Sequence, residues 1–128
     1  MKRQVRILLV EDEPESLNLL EKQLQTRGEL VTVSDPRRAA EIAEEGSFDL
    51  LIAAGHLLGE APWEFFSRVA AAAPQTLRVL SARHREAART LRLVQRGLLH
   101  YHLPKPLRVR MLKEVLPPLL AFQRTLPS

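Results

Sequence analysis

The chain contains no cysteine, which removes disulfides, thiolate metal sites and cysteine nucleophiles together. Aromatic residues are scarce, with four Phe, one Tyr and one Trp in 128 residues. Nothing in the sequence resembles a row of rings on which nucleic-acid bases could stack. Long apolar runs are missing too. Basic residues stand at Lys2, Arg3 and Arg6, but the apolar run from Ile7 to Val10 is too short for a signal-peptide core, and no stretch approaches a membrane span. Neither a glycine-rich phosphate loop nor a Ser/His/Asp set is present, so hydrolase and redox readings have no support. His56, His84, His100 and His102 are not at helical metal spacing; His100 and His102 share a strand face, but two ligands without a third do not define a zinc site. A soluble, cytoplasmic protein that is not an enzyme is expected.

Acidic residues are nearly missing from the second half. Residues 1–64 hold 7 Lys/Arg against 13 Asp/Glu, a net of −6, whereas residues 65–128 hold 12 against 2, a net of +10. The C-terminal half therefore carries a positive field able to steer acidic partners or nucleic acid. Of its twelve cations only Lys105 and Lys113 are lysine, and arginine is the better residue for bidentate contacts to carboxylate or phosphate. The length is that of one ordinary domain, residues 1–128, large enough to bury a core unaided.

What is present alternates. Val5–Val10 is a continuous apolar run, as in a strand covered on both faces. Pro14 opens a helix with Leu17, Leu20 and Leu24 as its apolar stripe, ended by Gly28. Further strands are predicted at Leu30–Val33, Leu50–Ala53, Leu77–Leu80 and Leu99–Leu103. Further helices are predicted over 37–45, 63–73 and 85–96, and from about Leu107 to a kink or split at Pro117-Pro118. The segment with Gly55 and Gly59 reads as a loop. Five strands alternating with five helices imply a doubly wound α/β sandwich with its core over about residues 5–116. Ligands of such sheets sit outside the carboxyl ends of the strands. Glu11, Asp12, Ala54 and Ser81 fall at those ends, and Lys105 lies just past the fifth strand.

Clustered carboxylates such as Glu11, Asp12 and Glu13 can hold Mg²⁺, or can simply be anions favouring the start of a helix. Ser81 can act as a cap. Taken in order, the strand-end Val-Glu-Asp-Glu-Pro, the Phe-Asp-Leu-Leu-Ile strand, Val79-Leu80-Ser81-Ala82 and Lys105-Pro106 resemble the response-regulator receiver domain of two-component signalling. The resemblance covers Arg6 to about Leu116. It implies a flavodoxin-like parallel sheet of order 2-1-3-4-5, a phosphorylation pocket of Glu11, Asp12, Ala54, Ser81 and Lys105, and a cis Lys105–Pro106 bond. The position of the phospho-accepting aspartate is Ala54, so the pocket is degenerate and the Mg²⁺ site at Glu11 and Asp12 incomplete. No cofactor is expected to be required, and Mg²⁺ at most to bind weakly. Asp49 stands near the opposite end of the strand. The Gly97–Lys105 spacing is one residue longer than usual, which leaves Tyr101 and His102 both as candidates for the switch aromatic.

Arg85, Arg89, Arg92 and Arg96 recur at four, three and four residues, which places them on one helix face, with Ala87, Ala88, Leu91 and Val94 expected to face inward. Arg83, Arg108, Arg110 and Lys113 are expected to extend that positive side, on the receiver output face built from the fourth predicted helix, the fifth strand and the last helix. A solvated face is the plain alternative. The resulting expectation is a stand-alone, phosphorylation-independent module that binds an acidic signalling protein. The alternatives are a regulator phosphorylated on another carboxylate (Asp12 or Glu11), or nucleic-acid binding by the arginine face. Trp63 is expected near the pocket.

Overall fold

Five extended segments lie side by side in the computed structural model, which describes residues 4–127; Lys2 and Arg3 fall outside them. The strands are β1 (Arg6–Val10), β2 (Glu29–Val33), β3 (Leu50–Ala54), β4 (Leu77–Arg83) and β5 (Tyr101–Lys105). They form one parallel sheet in the order β2-β1-β3-β4-β5. The helices are α1 (Pro14–Gln25), α2 (Pro36–Glu45), α3 (Gly55–Leu58), α4 (Pro62–Ala72), α5 (Ala87–Gln95) and α6 (Val109–Gln123), with a 3₁₀ turn at His84–Glu86.

All of β3 and the last four residues of β1 are buried, because helices cover both faces of the sheet. On one side Leu20 and Leu24 of α1 and Leu112 and Leu116 of α6 pack against Ile7, Leu9, Ile52 and Val79. On the other, Ala39 and Ala43 of α2, Phe66 and Val69 of α4 and Leu93 of α5 pack against Leu8, Val10, Leu51 and Leu80. The doubly wound α/β fold and its strand order are those expected from sequence. No helix among the described residues is long and apolar enough to cross a membrane.

The elements differ from expectation in four places. The segment after β3 is not a loop: Gly55–Leu58 makes one helical turn, stopped by Gly59 at φ 57°, a backbone state open to glycine. The described residues thus form six helices rather than five. The last strand begins two residues late, because Arg78 holds the chain before it: its guanidinium donates to the carbonyls of Thr76, Gly97 and Leu98, and its N–H to His100 Nδ1. Pro104 then lies inside β5, which an outermost strand tolerates.

The last helix is not split at Pro117-Pro118. It runs from Val109 to Gln123 with both prolines inside. Pro117, Pro118 and the residues four before them, Lys113 and Glu114, are all exposed, so water can satisfy the carbonyls that lose helical partners. Buried Leu112 and Leu116 hold the inner face.

Finally, Ala88, Leu91 and Val94 do not face inward. Leu91 is 55% exposed, and the buried residues of α5 are Thr90 and Leu93. The 3₁₀ turn before α5 sets the helix later than the pattern Arg85–Arg96 implied, and Thr90 buries its hydroxyl by donating to the Glu86 carbonyl.

Candidate functional site

Side chains alternate along a strand, and the register puts four columns on the same face: Ile7-Leu9-Glu11, Leu50-Ile52-Ala54, Leu77-Val79-Ser81 and Tyr101-Leu103-Lys105. Each column is apolar until its last member. The carboxyl end of the sheet therefore gathers Glu11, Ala54, Ser81 and Lys105, as the sequence led one to expect. Ala54 pairs with Ser81 across the ladder, and both are buried.

Glu11 is 2% exposed. Its Oε2 accepts the backbone N–H groups of Asp12 (3.0 Å) and Glu13 (3.1 Å), and its Oε1 lies 2.9 Å from Lys105 Nζ. Lys105 Nζ also donates to Glu13 Oε1, and Arg83 Nη2 stands 3.5 Å from Glu13 Oε2. The Lys105 hydrogen bond, aided by the charges of Lys105, His56 and Arg83, holds the Glu13 carboxyl below its ordinary range against the opposing effect of burial. The ammonium that the sequence places at the pocket is thus neutralised from within by two carboxylates of the β1–α1 turn. Glu13 was not singled out in the sequence beyond its place in the acidic cluster. Lys105–Pro106 is cis.

His56 is the residue that sequence spacing missed. Its Nε2 lies 2.5 Å from Asp12 Oδ1 and 4.0 Å from Glu11 Oε2, and its Nδ1 3.9 Å from Glu13 Oε1. Glu11, Asp12 and His56 form a group whose ligand atoms all lie within 4.8 Å of one another. Forty-four residues separate His56 from Asp12; only the Val10–Ala53 pairing brings the two turns together. As a Mg²⁺ site the set fits poorly. Mg²⁺ wants oxygen ligands in near-octahedral geometry, whereas one donor here is a nitrogen, Glu11 is already engaged by Lys105, and Ala54 offers none.

An open cleft of about 510 Å³ lies beside Lys105, lined by Glu13, Ser16, Leu19, Arg83, Lys105 and Leu107; Ala54 does not line it. Of the two switch candidates, Tyr101 packs with the α1–α6 layer. His102 turns to the other face, its Nε2 3.0 Å from the Ala82 carbonyl oxygen.

The arginines part from the expected arrangement. Arg89 Nη2 donates to the Gly59 carbonyl at 2.5 Å, and Arg96 lies over the Trp63 ring, 5.7 Å from its centroid. That flank of α5 therefore faces the start of α4, away from β5 and α6. Arg85 belongs to the 3₁₀ turn rather than to α5. Arg108 and Arg110 lie exposed at the start of α6, where Arg110 pairs with Glu114, so they do not continue the stripe. Leu91 and Val94 occupy the flank between the two sets. Trp63, expected near the pocket, turns to α5 instead.

No family model matches the chain, and no curated protein is significantly similar to it. Solved structures are similar over nearly its whole length. The signal receiver domain of an HD domain-containing protein from Pseudomonas fluorescens Pf-5 aligns at TM-score 0.84 and 24% identity, covering 98% of this chain and 93% of that one. A CheY-like response regulator receiver domain protein from Methanospirillum hungatei JF-1 aligns at 0.81 and 19% identity, over 95% and 98%. A structure described as adenylate cyclase from Rhodopirellula baltica aligns at 0.82 and 19%, over 94% and 90%. The fold is that of CheY-like receivers.

Proposed function

We propose that this chain is a receiver-fold signalling module that acts by binding a protein partner and does not switch by phosphorylation at position 54. The observation that carries the reading is the pocket itself. A buried methyl stands where the fold's relatives in two-component signalling would carry the acceptor, and Lys105 is already ion-paired with Glu11 and hydrogen-bonded to Glu13. Such a pocket has no free nucleophile at Ala54 and no unengaged ammonium to receive a phosphoryl group. The proposed role is non-enzymatic and cytoplasmic and requires no cofactor; any Mg²⁺ affinity at Glu11 and Asp12 is weak. The net charge of +10 over residues 65–128 supports an acidic partner.

The test is intact-mass analysis after incubation with acetyl phosphate and Mg²⁺, with Ala54→Asp as the control. The native chain is expected to keep its mass while the control gains one phosphoryl group. Stoichiometric phosphorylation of the native chain overturns the reading and directs attention to Asp12 or Glu11 as an alternative acceptor.

A further inference from the structure

Buried Thr90 and Leu93 fix the inward direction of α5, and Arg89 and Arg96 fix one flank through Gly59 and Trp63. At about 100° per residue, Arg92 lies on the outer side of that flank, between Arg89 and Arg96. Arg92 and Arg96 are exposed, and Trp63 is 47% exposed beneath the Arg96 guanidinium. Among the described residues no carboxylate forms an ion pair with Arg89, Arg92 or Arg96, whereas Arg68, Arg83 and Arg110 each have one. Of the nearby acids, Glu60 is exposed beside Gly59 and forms no ion pair with these arginines, and two others are directed elsewhere. Glu86 Oε1 is directed at Gly55, and Glu64 lines the cleft that α4 shares with α2, together with Arg37 and Arg68.

An exposed indole braced by an arginine and bordered by unpaired guanidiniums has the composition of an interface centre, where Trp and Arg are enriched. We infer that the Trp63–Arg92–Arg96 surface between α4 and α5 docks an acidic, amphipathic protein segment, whose carboxylates meet the guanidiniums while an apolar side chain lies on the indole. The inference rests on the reading above and names both the partner's chemistry and the surface. Charge complementarity selects the partner: bidentate arginine–carboxylate pairing needs no further ring, whereas single-stranded nucleic acid needs successive stacking platforms and finds here a single indole.

Trp63 is the only tryptophan, so its emission reports on this surface directly. The probe is a synthetic amphipathic helix of Glu and Leu, with the isosteric Gln/Leu peptide as control, titrated at low salt without acetyl phosphate. A saturable change in Trp63 emission with the Glu/Leu peptide alone is expected. Arg92→Glu should weaken it about tenfold or more, while Arg110→Glu on α6 leaves it unchanged. No saturable change, or equal loss in Arg110→Glu, overturns the surface. A response to oligothymidylate but not to the peptide overturns the partner class. Self-association of the native chain that Arg92→Glu abolishes replaces the partner with a second copy. If prior treatment with acetyl phosphate and Mg²⁺ alters peptide affinity in the native chain, phosphorylation independence fails while the surface stands.

Discussion

Ser81 and Ala54 are paired across the β3–β4 ladder, and the Ser81 hydroxyl, 1% exposed, has no hydrogen-bond partner. A buried hydroxyl without a partner costs about 1–3 kcal/mol in lost hydration. Ser81→Ala removes that cost along with one small atom. It should leave the unfolding free energy unchanged or raise it by up to about 1 kcal/mol, as read by urea denaturation. A loss of more than that would mean the hydroxyl has a partner in solution.

Lys105 is the counterpart case, a buried charge that is well matched. Lys105→Met strands Glu11 without its cation, and breaking a buried pair in this way costs about 3–5 kcal/mol. The double variant Lys105→Met/Glu11→Gln should recover a large part of that loss, because both buried charges are then gone. Glu13→Gln should be milder, since Glu13 is half-exposed and solvent screens it. A denaturant-based double-mutant cycle without coupling would refute the pairing.

His100 sets an acid limit on stability. Burial, and then the charge of Arg78, push its imidazole down to about 4. Between about pH 6.5 and 4 the unfolded chain therefore binds a proton that the folded chain refuses, so stability falls as pH drops through that window. Glu13 acts in the same direction at lower pH: its depressed carboxyl stabilises the fold while ionised, and that contribution is lost as pH falls through its folded value. Thermal unfolding measured from pH 7 to 4 should show a slope that His100→Gln flattens. An unchanged slope in that variant would remove His100 as the cause.

Gly28 is required by closeness rather than by its dihedral angles. A Cβ at that position would come 2.3 Å from the Val5 carbonyl oxygen, where the chain enters β2 beside β1. Backbone must move to admit it. Gly28→Ala should therefore destabilise by about 2 kcal/mol rather than stabilise as Gly→Ala does at open sites. Chemical denaturation of that single variant decides the matter.

The fold was legible because the central strands β1 and β3 are nearly continuous apolar runs and Pro14, Gly28, Gly46 and Gly97 punctuate the chain between elements. Of the site, Glu11, Ala54, Ser81 and Lys105 were legible because each ends an apolar column at or near the carboxyl end of its strand. His56 and the double grip of Glu11 and Glu13 on Lys105 were not, since strand pairing rather than sequence distance creates those contacts. The inner face of α5 was hidden for a related reason. A helix that carries Arg, Leu, Ala and Val on adjacent rows offers two plausible inner faces, and the 3₁₀ turn with the Thr90 back-bond selected the less apolar one.

Pro104 in β5 has one more consequence. A parallel sheet ends in outermost strands whose free backbone groups can recruit a further strand from another molecule. A proline there interrupts the regular row of donors such an addition would use. At the opposite border, β2 is only five residues long, and its Glu29 and Thr32 are exposed. Open-ended growth of the sheet is thus discouraged at both margins.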